Sequence, residues 1–63
     1  MEEWKGIIMF VQSQCHMAEK GIIRALIDEV PDTRLAHLEH ARDCLARARS
    51  LVTDAIAVAQ EET

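Results

Sequence analysis

Sixty-three residues make one domain at most, and a hydrophobic share of 49% is too high for a disordered chain. The formal charge of −4 argues against nonspecific binding to nucleic acid or to an anionic membrane, both of which need a basic surface. Trp4 and Phe10 are the only aromatic residues, so the core must be aliphatic and alanine-rich. Such a core is marginal against chain entropy in one short chain, which favours a second subunit.

The opening Met1-Glu2-Glu3-Trp4-Lys5 lacks the basic stretch of an export signal, and the apolar run over residues 6–11 is too short to span a bilayer. Two cysteines in that setting read as thiols in a reducing compartment. The expectation is a soluble cytoplasmic protein.

The first helix is expected over about residues 2–29. Trp4, Ile8, Val11, Cys15, Ala18, Ile22 and Ala25 recur in alternating steps of three and four, which sets them along one seam. Gly6 and Gly21 each weaken a helix by ~1 kcal/mol relative to alanine. Gly21 lies beside the seam, where a missing side chain either permits close approach or is simply a tolerated weak spot. This helix is also too apolar for a single partner. Met9 and Ile27 point away from the seam, and Phe10, Met17 and Ile23 lie on its flanks. These residues are the candidate interface to a second subunit or to another helical protein.

Val30-Pro31-Asp32-Thr33 is the one strong break. Proline disfavours helical geometry at Val30 and suits the first turn of a new helix, where Asp32 and Thr33 are placed to complement its N-terminus. A turn at about 30–32 makes the two helices antiparallel neighbours. The second helix is expected over about 32–60, with the seam Leu38, Ala41, Leu45, Ala48, Val52, Ala55 and Ala59. His37, Cys44, Leu51 and Val58 flank it on one side, and Leu35, Arg42, Arg49 and Ile56 on the other. Asp43 with Arg47 and Glu39 with Arg42 have the spacing of helical ion pairs. Glu61 and Glu62 oppose the helix dipole at the C-terminal end.

Few residues suggest chemistry. His37, His40 and Cys44 share one face of the second helix, and imidazole and thiolate are good ligands for zinc and related metals. One helix can offer only two of them to one ion. Antiparallel register brings Cys15 level with Cys44 and Glu19 level with His40, so a metal- or redox-responsive bundle using Cys15, His40 and Cys44, with His37, is one alternative. The structural expectation places Cys15 in the seam as a small hydrophobe, Cys44 beside it, His37 and His40 at the edges and His16 on the surface. No nucleophile-and-base arrangement, phosphate loop or paired Glu-x-x-His motif supports catalysis or a cofactor. Arg34, Arg42, Arg47 and Arg49 interleave with Asp32, Glu39 and Asp43. They are expected to pair with carboxylates across a dimer, with RNA binding through the second helix as a further alternative.

In length and hairpin form the chain resembles the small plasmid copy-number regulators, whose two-helix chains dimerise into four-helix bundles and bind paired RNA loops. None of their RNA-contacting residues is matched here, so no site carries over. The sequence therefore predicts an all-α antiparallel hairpin that dimerises into a four-helix bundle. Its expected function is that of a non-enzymatic regulator, adaptor or chaperone-like partner whose first partner is a second copy of itself.

Overall fold

A computed structural model describes residues 3–62. It contains α1 (Glu3–Ile27) and α2 (Pro31–Glu61), packed against each other as a hairpin. The expected helix start at Glu2 lies outside the described residues.

Local chemistry accounts for the turn at residues 28–30. The Asp28 N–H still donates to the Arg24 carbonyl at 3.0 Å, but its side chain then competes with further helix: Oδ1 accepts the Val30 N–H at 2.9 Å. Helix α1 thus stops at Ile27 rather than running to Glu29. Val30 is extended, with φ −87° and ψ 116°, as the residue before a proline prefers. Pro31 opens α2 at a position where a missing N–H costs nothing. No side chain caps this end; the expected help from Asp32 reduces to a negative charge in the first turn. Arg34 fastens the turn from the far side, donating from Nε to the Asp28 carbonyl at 3.0 Å.

The seam between the helices is rotated from the one the hydrophobic pattern suggests. On α1 the buried or half-buried positions are Trp4, Ile7, Val11, Gln14, Ala18, Gly21 and Ala25, with Asp28 half-buried in the turn that follows. On α2 they are His37, Ala41, Cys44, Ala48, Leu51, Ala55, Val58 and Ala59. Alternate members agree with expectation, but Ile8, Cys15, Ile22, Leu38, Leu45 and Val52 are exposed. Ile7, Gln14, Gly21, His37, Cys44 and Leu51 take their places. Close approach explains the choice: a Cβ built on Gly21 would lie 3.2 Å from the His37 carbonyl oxygen and 3.4 Å from the Ala41 Cβ. The spacing remains that of left-handed packing, with a crossing angle of roughly 20°.

The resulting core is thin. Its buried apolar side chains are Ala18, Ala25, Ala41, Cys44, Ala48 and Ala55, and among the described residues nothing larger than cysteine is fully enclosed. The molecule measures 49 × 13 × 10 Å with a Cα radius of gyration of 14.7 Å, whereas a compact chain of this length would have about 11 Å. Its accessible surface is 4975 Å², about 900 Å² more than a compact monomer of this mass exposes. The hairpin is a single layer in which Ile7, Val11, Leu51 and Val58 are half-buried and many of the other large aliphatic side chains are exposed.

Candidate interaction surface

The exposed aliphatics are not scattered. At 100° per residue, the row Ile8, Cys15, Ile22 lies about 70° around α1 from its contact with α2. The row Lys5, Gln12, Glu19, Leu26 follows at about 130°. A neighbour at right angles to α2 would dock between these rows. The equivalent rows on α2 are Leu38, Leu45, Val52, Ala59 and Leu35, Arg42, Arg49, Ile56. Because right-handed helices running in opposite directions turn corresponding rows to the same side, both pairs of rows form one face of the hairpin.

Register fixes how that face is filled. Gly21 meets Ala41, and Gln14 Oε1 accepts a hydrogen bond from Arg47 Nε at 3.1 Å. The same spacing brings Ile22 near Leu38, Cys15 near Leu45 and Ile8 near Val52. Leu38 is 46% and Leu45 47% exposed, while Leu26, Leu35 and Ile56 at the face's outer corners are more open still. An apolar patch of this length exceeds what lone surface aliphatics explain.

The opposite face differs. There α2 presents His40, Asp43, Arg47, Ser50 and Asp54, with no large apolar side chain. Met17, Lys20, Gly21, Arg24, His37 and His40 line a cavity of about 150 Å³ on this side. The sequence-predicted interface residues Met9, Phe10, Met17, Ile23 and Ile27 are all exposed. They belong to α1 alone and lie outside the shared apolar face. Met9 and Phe10 join Gly6 and Ser13 around an open depression of about 380 Å³. The shared face escaped the sequence reading because its inner rows were assigned to the hairpin seam.

Of the candidate ligand residues, the structure brings together only His40 and Cys44. The two cysteines exchange the roles expected of them: Cys44 is 0% exposed inside the seam and Cys15 is out on the apolar face. Cys44 Sγ lies 3.7 Å from His40 Nε2 and accepts a hydrogen bond from an Arg47 terminal nitrogen at 3.3 Å. His37 Nε2 instead faces Asp28 Oδ2 at 3.4 Å. Among the described residues, no three His, Cys, Asp or Glu side chains converge to hold a metal ion. Cys44 is a hydrogen-bonded core thiol with its sulfur closed to solvent.

The arginines also depart from expectation. Arg42 pairs with its neighbour Asp43 at 3.3 Å, not with Glu39. Arg47 reaches across the helix interface to Gln14 and back along its own helix to the Cys44 sulfur, rather than pairing with Asp43. Its Nε donor satisfies Gln14, a polar residue at a seam position.

No helix in the described residues is long and apolar enough to cross a membrane. No protein-family model, curated protein or solved structure matches the chain. Its functional reading therefore rests on its own surface.

Proposed function

We propose that this chain is a non-enzymatic interaction module that works as a homodimer, two hairpins closing into a four-helix bundle. One observation carries the reading. The dominant apolar seam of each helix points neither at the other helix nor at the exposed face, but about midway between them. Trp4, Val11, Ala18 and Ala25 lean toward α2, and Ile8, Cys15 and Ile22 lean toward the open face; α2 repeats the arrangement with its alanines, Leu38, Leu45 and Val52. In a four-helix bundle each helix has two neighbours at roughly right angles, and its most apolar line faces the axis between them. A lone hairpin covers only one flank of that line.

The surface area supports the same reading. The excess of about 900 Å² per chain is close to the ~800 Å² that each partner buries in a standard protein interface. Closing the apolar faces would add fully buried isoleucine, leucine and valine to a seam whose enclosed side chains are alanine and cysteine. That burial is the term a thin hairpin lacks.

The dimer leaves the outward side of α1 uncovered. Met9, Phe10, Met17, Ile23 and Ile27 are the residues we assign to contact with another helical protein, the adaptor or regulatory part of the function. Methionine and phenylalanine suit such an adaptable helical surface.

Leu45→Glu tests the self-association. Leu45 is about half exposed in the hairpin, so the change spares the intrachain seam while placing a charge at the centre of the proposed interface. The variant should sediment as a single chain under conditions where the wild type does not. An unchanged mass would remove this face from the interface.

A further inference from the structure

The rim of the apolar face specifies how two copies meet, an inference that rests on the dimer reading above. Two arrangements are compatible with two-fold symmetry. With the axis along the helices, α1 stacks on the partner's α2 and both turns lie at the same end of the bundle. With the axis across the helices, α1 stacks on α1, α2 on α2, and the turns lie at opposite ends.

The two arrangements bring different side chains together. Along-axis stacking repeats the hairpin's own register between subunits. It sets Glu19 level with Arg42 of the partner subunit, Gln12 with the partner's Arg49 and Leu26 with the partner's Leu35. Opposite charge meets opposite charge in the middle, and apolar meets apolar at the turn end. Across-axis stacking sets Arg42 beside the partner's Arg49 and leaves Glu19 facing the partner's Gln12. Like charges at that separation are repulsive, and the carboxylate loses its counter-ion.

The inner rows agree with the rim. Along-axis stacking faces Cys15 with the partner's Leu45, small against large, and pairs Ile22 with the partner's Leu38 and Ile8 with the partner's Val52, aliphatic against aliphatic. Across-axis stacking faces Cys15 with Cys15 and Leu45 with Leu45, leaving one layer underfilled and another crowded. The charged groups are also available for the role. Glu19 and Arg49 have no side-chain ion pair or hydrogen bond among the described residues, and Arg42 holds only the exposed Asp43, its side chain 71% accessible.

We infer that the apolar face is a self-docking surface with a fixed polarity: its occupant is a second copy whose α2 lies on α1 with both turns at one end, selected by Glu19 against Arg42 and Leu26 against Leu35.

A nitroxide label on the turn reads the polarity directly. In full-length Glu29→Cys protein with Cys15→Ala and Cys44→Ala, labels at the same end give an intersubunit distance below about 30 Å, given helix spacings of roughly 10 Å. A distance above about 40 Å, nearly the length of α2 at 1.5 Å per residue, would overturn the polarity and leave the dimer standing. Loss of any intersubunit distance, with a single-chain sedimentation mass for both this protein and the wild type, would overturn the dimer itself. Charge reversal supplies a second measurement. Glu19→Arg and Arg42→Glu should each raise the dimer Kd about two- to fivefold, with the double variant returning toward wild type; additive losses would overturn the pairing.

Discussion

Gly21 lies so close to α2 that a Cβ on it would sit 3.2 Å from the carbonyl oxygen of His37. This contact sets the helix spacing in the half of the hairpin nearest the turn. Gly6, also in α1, has nothing within 4 Å of the same hypothetical atom. Alanine should therefore act differently at the two sites. Gly6→Ala should stabilise by about 0.5–1 kcal/mol through helix propensity alone. Gly21→Ala should gain none of that, because the backbone of α2 must move by a few tenths of an ångström, and Gly21→Leu should lose about 2 kcal/mol or more. Chemical denaturation compares them; equal gains from both alanines would refute the close approach.

Asp28 ties the turn together through Val30, His37 and the Arg34 contact to its carbonyl. Replacing it with alanine removes the acceptor that stops α1. Asp28→Ala should cost about 1 kcal/mol, or roughly 4–8 °C in Tm for a domain of this size. Asp28→Asn keeps an oxygen for the Val30 N–H and should recover most of the loss. Equal melting of both variants would show that the charge on Asp28, rather than the hydrogen bond, holds the turn.

The two helices and the break between them were legible in the sequence, because proline, the preceding extended residue and two runs of three-four spacing act locally. Gly21 was half legible: its place beside the seam fits close packing or a merely tolerated weak spot, and the 3.2 Å approach of the His37 carbonyl decides for the first. The direction of the seam was not. Its true positions include Gln14, Gly21 and His37, which hydropathy passes over, while Ile8, Cys15 and Ile22 stand one residue along and look better suited to a core. Spacing fixes the width of an apolar stripe, and a sequence cannot say which edge of it meets the other helix. The exchange of roles between Cys15 and Cys44 follows from the same rotation. Arg47 was misassigned because spacing along one helix says nothing about an acceptor such as Gln14 on the other.

Cys15 provides a reporter for the apolar face. It is exposed in the hairpin and central in the proposed bundle, whereas Cys44 is enclosed by the intrachain seam in both. Cys15 should thus react with a maleimide more slowly as protein concentration rises through the dimer Kd, while Cys44 stays slow until the chain unfolds. A Cys15 rate independent of concentration over a range in which the mass changes would place the interface elsewhere.

The outward residues of α1 should separate from self-association. Phe10 is 66% and Met9 69% exposed, so replacing both with serine should change stability by no more than about 0.5 kcal/mol per site and leave the dimer intact. Ile22→Ser should weaken the dimer instead. A Met9→Ser/Phe10→Ser protein that becomes monomeric would transfer the self-docking role to that side of α1.

The most direct measurement for the account is the sedimentation mass of the unmodified chain at micromolar concentration, taken alongside its helical circular dichroism. Two hairpins sharing a core predict a folded species of twice the 7.1 kDa chain mass. A fully helical, cooperatively melting species of one chain mass would contradict it.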